Sequence, residues 1–234
     1  MSEPRRIPSG LATTATIAGL TWTRLVRGRA LWVGLLIAVL PLMYAGAMRS
    51  VGESTGGELF GLEGLILAVL APMFVGSSIG EEIEDRTTTY LWSRPVPRWA
   101  ILAGKLLALA PLAALIVLAG WIAACRIAWD IWPSLQTCGA LVAGAVAISF
   151  VAAGIATLAP RHGTALTIVY MLFFDTPLGV LPATVRELSV THQMRTLAGT
   201  SPFEAGPASA AIALTIISGV WILIAALRIR RLEA

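Results

Sequence analysis

The chain has 234 residues, 57 % of them hydrophobic and only 13 % charged, with a mean hydropathy of +0.81. A soluble domain carries about a quarter charged residues, so composition excludes an ordinary water-soluble fold and points to a polytopic membrane protein in which lipid replaces much of the core. The net charge of +4 comes from sixteen arginines and one lysine, Lys105; in a soluble chain that balance would suggest nucleic acid, but here it reads as charge placed relative to a membrane.

The opening "MSEPRRIPSGLATTATIAGL" lacks the pattern of a cleaved signal peptide. The context of Arg5-Arg6 does not support a twin-arginine signal. Residues 1–29 are expected as a cytosolic tail followed by an interfacial helix. In "ATIAGLTWTRLVRGRALW", Ile17, Leu20, Trp22 and Leu25 supply an apolar side, and Arg24, Arg27 and Arg29 a basic one.

Six apolar segments follow at about 30–48, 59–80, 100–125, 135–159, 164–182 and 207–228, each near the ~20 residues needed to span a bilayer. Uniformly apolar runs of this length fit helices, not the alternating strands of a barrel. With the N-terminus in the cytosol, basic residues divide 13 inside against 4 outside, the outer set being Arg49, Arg126, Arg186 and Arg195. That asymmetry orients both termini to the cytosol. The expected fold is therefore all-α, with a six-helix membrane domain over 30–228 and a short tail at 229–234.

Between segments 2 and 3 lies the densest charge of the chain. Residues 81–93 are expected as a short amphipathic helix in which Ile83, Thr87, Tyr90 and Leu91 share one face. Glu82 and Arg86 attract at i, i+4, while Glu81 and Asp85 repel. Pro95 and Pro97 stop that helix before a new one enters the membrane near Trp99. The plain alternative is a solvated charged loop. An aromatic face beside a charged face favours docking onto another protein.

Segment 5 carries Asp175, Thr176 and Pro177. A charge inside a span is costly and proline interrupts a helix, so a broken helix is expected here. It leads into a polar outer segment at about 183–206 forming short re-entrant or surface helices. Asp175 is read either as a gating or pathway residue or as the cap of a helix opening at Thr176. Glu63, near the outer end of segment 2, is expected to reach the interface, with a pathway contact as the alternative. Lys105 is expected to snorkel at the cytosolic end of segment 3. Cys125 and Cys138 flank one outer loop and are expected as free thiols, with a disulfide the alternative. Small residues at four-residue spacing, Ala140 with Gly144 and Ala145 with Ser149 and Ala153, permit close helix packing.

The run "GEEIEDRTTTYLWSRPVPRWAILAGK", Gly80 to Lys105, resembles a pattern in permease subunits of ABC-2 type ABC transporters. There, an acidic stretch leads into Thr, Leu, Ser-Arg-Pro and an apolar run ending Gly-Lys. The likeness extends more loosely to the whole chain through its six segments, "TRLVRGRALW" and the outer "SPF"; Trp92 and Pro97 depart from the usual residues. The resemblance implies a type V exporter-like architecture in the bacterial cytoplasmic (inner) membrane, with two permease subunits, alike or different, driven by a pair of cytosolic ATPase subunits. It makes 81–93 the coupling helix seated on an ATPase, with Glu81, Glu84, Arg86, Thr87, Tyr90, Leu91, Arg94 and Pro95 as contact candidates. No P-loop occurs in the chain: its one Gly-Lys, Gly104-Lys105, lacks the flanking residues. ATP and Mg are therefore expected on the partner, with no cofactor, metal site or catalytic residue here. His162 and His192 are expected on opposite sides of the membrane. The alternatives are an ATP-independent secondary transporter or channel and, with poorly placed histidines, an intramembrane Ser-His protease.

Overall fold

The computed structural model describes residues 10–52, 56–84, 98–181, 184–203 and 206–231, and every regular element among them is helical. Helix α1 (Gly10–Arg27) is followed at once by α2 (Arg29–Ile37). Gly28, at φ −85° and ψ 159°, breaks the ladder between them and turns the chain. In α1 the hydroxyls of Thr14, Thr16 and Thr23 donate to the carbonyl four residues back, at 2.9, 2.9 and 2.8 Å. These bonds give the hydroxyls partners within the helix itself. The interfacial helix expected before the first span is thus present as a helix, and it lies along the long helix Arg98–Trp129: a Cβ on Gly104 would sit 2.8 Å from the Thr14 carbonyl oxygen.

α2 and α3 (Leu40–Val51) form one apolar rod with a break at Ala38 and Val39. Pro41, at the start of α3, has no N–H to continue the ladder, which accounts for the break. α3 ends at Gly52, whose φ of +77° suits glycine and whose N–H closes onto the Met48 carbonyl. The long helices α4 (Gly56–Glu84), α5 (Arg98–Trp129) and α6 (Leu135–Leu158) follow, then α7 (Gly163–Val169), α8 (Thr176–Leu178), α9 (Val190–Leu197) and α10 (Pro207–Arg231). A π-helical stretch, Tyr170–Asp175, joins α7 to α8.

α6 is the central column and packs against α4, α5, α7, α9 and α10. Its small residues make this possible: Ala140, Gly144, Ala145, Ser149, Ala153 and Gly154 are all buried, so the spacing noted in the sequence serves packing within the chain. A Cβ on Gly154 would lie 2.4 Å from the Trp221 ring of α10. Phe60, Leu67, Phe74, Leu109 and Ile148 fill the interior, with Phe60 edge-on to Trp121 at 5.5 Å.

Among the described residues, five helical stretches are long and apolar enough to cross a membrane: Arg29–Val51, Gly56–Gly80, Trp99–Trp129, Leu135–Leu158 and Pro207–Ile229. The outer faces of two of them are bare. On α10, Ile212, Ile216, Val220, Leu223 and Leu227 form one exposed stripe, and Trp32, Leu36 and Met43 do the same on α2 and α3. Such a surface would aggregate in water and is solvated by hydrocarbon. The chain is a multi-pass, all-helical membrane protein.

The segment expected as a fifth span at 164–182 differs from expectation. It is helical over 163–178, short of the ~20 residues of a full crossing, and Pro177 does not break it outright. Backbone angles stay right-handed helical at Val169, Tyr170, Asp175 and Thr176. The ladder instead widens into π geometry ahead of the proline: Thr176 N–H bonds to the Met171 carbonyl, and its hydroxyl donates to the same oxygen at 2.8 Å. A proline ring clashes with the carbonyl four residues earlier, and a wide turn before it relieves that clash.

Candidate functional site

The helices divide the bundle into two ends. The proximal end carries α1, Gly80 and Pro160, whose carbonyl oxygen would lie 2.7 Å from a Cβ on Gly80. The distal end carries Gly52, Trp129, Ser134 and α9. The chemistry-bearing residues that the structure brings together lie at the distal end.

The polar segment at about 183–206 is expected to form short re-entrant or surface helices. Its helix α9 is inserted into the bundle, with Val190, Thr191, His192, Gln193, Met194 and Thr196 all buried. Two glycines admit Met194: a Cβ on Gly144 of α6 would lie 2.4 Å from Sδ, and one on Gly64 of α4 would lie 2.7 Å from Cε. Ser189 caps α9 by accepting from His192 N–H at 3.0 Å. At the other end, Gly199 at φ +72° lets its own N–H reach the Thr196 carbonyl and Thr200 N–H reach the Arg195 carbonyl, a Schellman ending. Gln136 of α6 adds a bond to the Leu197 carbonyl at 2.9 Å.

Asp175 completes this arrangement. It is 2 % exposed, and its carboxyl oxygens accept from Val190 N–H at 2.8 Å, Thr191 N–H at 2.9 Å, Thr191 Oγ1 at 2.8 Å and Ser189 Oγ at 3.2 Å. The reading of Asp175 as the cap of its own helix is therefore corrected: it makes no side-chain bond to α8. It caps α9 instead, satisfying the free N–H groups of a buried helix start and meeting the positive end of its dipole. Gly179 lets the two segments approach, since a Cβ there would lie 2.8 Å from Ser189 Oγ. Sequence reasoning named Asp175 but missed Ser189, Thr191 and Met194; the Ser-Val-Thr start of α9 was the available signal.

His192 sits behind this contact, with Nε2 buried, unbonded among the described residues, and 3.8 Å from Glu187 Oε1. Burial pushes its imidazole below the ordinary value of 6.5; the nearby Glu187 opposes this, while Arg186 and Arg195 add to it. A cavity of about 140 Å³ lies between Gly61 and Gly64 of α4 and Thr176, Thr191, His192 and Arg195.

Two further expectations are corrected. Glu63 does not reach the interface: it is 1 % exposed, and Oε1 has no partner among the described residues. Gly120 of α5 leaves room for it, a Cβ there being 3.1 Å from that oxygen. Lys105 does not snorkel: it is 2 % exposed, and Nζ donates to the Ser78 carbonyl of α4. In both cases a neighbouring helix covers the end of the span and takes the side chain inside. Cys125 and Cys138 are free thiols, as expected.

The coupling stretch stands apart from this cluster. α4 continues through Glu84, so Glu81 and Glu84 belong to its last turn and not to the first turn of a new helix. Arg86, Thr87, Tyr90, Leu91, Arg94 and Pro95 lie outside the described residues, as does most of the helix expected at 81–93.

The ABC-2 family transporter protein model matches residues 62–227, well over half of the chain. The chain belongs to the ABC-2 transporter family. The match runs from the first turns of α4 to the last turns of α10. It thus takes in the 81–95 stretch, the central column, the Asp175–α9 contact and the buried Glu63 of this ABC-2 protein. No curated protein matches the chain. Membership makes the protein a membrane transport component of a family that works with an ABC ATPase, and the resemblance read from Gly80 to Lys105 agrees with it.

Proposed function

We propose that the chain is the transmembrane permease subunit of an ATP-binding cassette exporter in a bacterial cytoplasmic membrane. In this reading the proximal end faces the cytosol, because 13 of the 17 basic residues then lie inside. The five long helices cross the membrane, and the shorter 163–178 helix, together with the turn through 181 that follows it, makes the sixth crossing. Two such subunits form the pathway, and a pair of ATPase subunits binds ATP and Mg from below. ATP-driven closure of that pair moves the 81–95 stretch through Glu81, Glu84, Arg86, Thr87, Tyr90, Leu91, Arg94 and Pro95. α4 is continuous from Gly56 to Glu84. It therefore links that stretch, past Pro72, to Gly64 at the distal end, against which Met194 packs and where Asp175 holds α9 in place as an outer gate.

The observation that carries this reading is the family match across both the membrane helices and the charged stretch between them. The test is co-purification from the native host. A P-loop ATPase should accompany the solubilised chain and be lost on Tyr90→Ala with Leu91→Ala, while the variant still elutes as a folded protein. Absence of any ATPase, under conditions that keep other membrane complexes intact, would overturn the reading. The buried carboxyl of Glu63 would then favour an ATP-independent carrier, which needs an ionisable group inside the bundle.

A further inference from the structure

At the proximal end, α1 leans on α5 and α2 leans on α4. Two glycines set these contacts: Gly104, closed against Thr14 and Ile17, and Gly34, where a Cβ would lie 2.6 Å from the Phe74 ring. The elbow at Gly28 is therefore held open between two fixed struts, and a cavity of about 250 Å³ lies beneath it. Its mouth carries Arg24 and Arg29, its wall Thr21 and Ser77, and its floor Phe74 and Leu109. Among the described residues no acidic side chain lines it, and Arg29 forms no ion pair with them. Unlike Thr14, Thr16 and Thr23, Thr21 does not bond back to its own helix. α2 opens at this point with no side-chain cap on its first N–H groups.

We propose that this elbow cavity binds the headgroup of an anionic phospholipid. Arginine forks and a hydroxyl are matched to phosphate oxygens, and basic pockets between membrane helices on the cytoplasmic side suit anionic headgroups. The apolar floor accepts the first carbons of an acyl chain. The volume falls below the ~300 Å³ of the smallest drug-sized pockets, which fits a headgroup and not a whole hydrophobic cargo. α2, which starts at the cavity, goes on to expose Trp32, Leu35 and Leu36, so a ligand reaching it along that helix comes from the bilayer. The site does not depend on ATP coupling. The bound lipid pins the elbow, and through it the first membrane rod, to the interface.

Native mass spectrometry of the delipidated chain, titrated with phosphatidylglycerol or phosphatidylcholine, tests this. Phosphatidylglycerol is expected to bind first, one per chain. Arg24→Gln with Arg29→Gln should weaken it about 30-fold, at ~1 kcal/mol for each arginine near the surface, and leave phosphatidylcholine unchanged. Arg29→Lys, which keeps the charge and guards against a folding artefact but loses the planar fork, should fall between the parent and the double variant. Arg161→Gln with Arg228→Gln, outside the cavity, should have no effect. An equal loss in that control pair would reduce the binding to general surface charge and overturn the proposal. So would equal affinity for the two lipids, or release by millimolar inorganic phosphate, which would assign the cavity to a free anion.

Discussion

Asp175 shows how one side chain acquires a role that its own neighbourhood in sequence does not display. Its four donors come from Ser189, Val190 and Thr191, about fifteen residues further on. The sequence marked an acid where acids are costly, and a nearby proline made a local cap the natural reading; only folding delivered the N-terminus of α9 to it. Glu63 and Lys105 follow the same pattern. Hydropathy placed both near the ends of spans, and packing then covered them. Asp175→Ala leaves the Val190 and Thr191 N–H groups buried without an acceptor, while the Ser189 and Thr191 hydroxyls keep the backbone carbonyl of residue 175 and each other. It should destabilise the distal end by about 2–4 kcal/mol, as unpaired buried donors do, with Asp175→Asn intermediate because one oxygen remains. Thermal unfolding in detergent, with hydrogen exchange at 190–194 as the local readout, checks this. Unchanged protection in the alanine variant would remove Asp175 as the anchor of α9.

At the scale of elements, the segment holding α9 was legible as short re-entrant or surface helices, and the burial of α9 decided between the two. Its eight residues carry too few apolar side chains to announce burial, and it is held instead by Gly64, Gly144 and Gly179, which leave space that a sequence pattern does not show. Burial also sets its pH response. The His192 imidazole lies below its ordinary 6.5, so above that value the folded and unfolded chains are both neutral there and the helix keeps its full stability. As the pH falls through 6.5 the unfolded state binds a proton that the folded state resists, and stability drops until the lower folded value is passed. Glu187, Arg186 and Arg195 are the charged groups that tune this. Protection from hydrogen exchange at 187–197, taken relative to the intrinsic rate at each pH, should fall between pH 7 and 5, and His192→Gln should flatten the dependence. An identical pH profile in that variant would assign the response to another group.

For the molecule as a whole, the placement of arginine predicts which end faces the cytosol. In a chain with Cys125 and Cys138 replaced by serine, an impermeant maleimide applied to intact cells should label Ile131→Cys, exposed in the distal turn between α5 and α6. It should reach Thr87→Cys only after permeabilisation; the reverse pattern would invert the topology. Composition and the length of the apolar runs were enough to establish an all-helical membrane protein. The run from Gly80 to Lys105 was enough to point to the family, because both signals are local. What depended on the folded chain was the fate of the polar exceptions: Asp175 as the cap of a distant helix, Glu63 and Lys105 taken inside, the short π-widened segment before Pro177, and the cavity at the Gly28 elbow. Each is decided by which surfaces of separate helices meet, and where a glycine lets them close. Hydropathy carries no record of those contacts, since a buried helix start and an exposed one can share the same sequence.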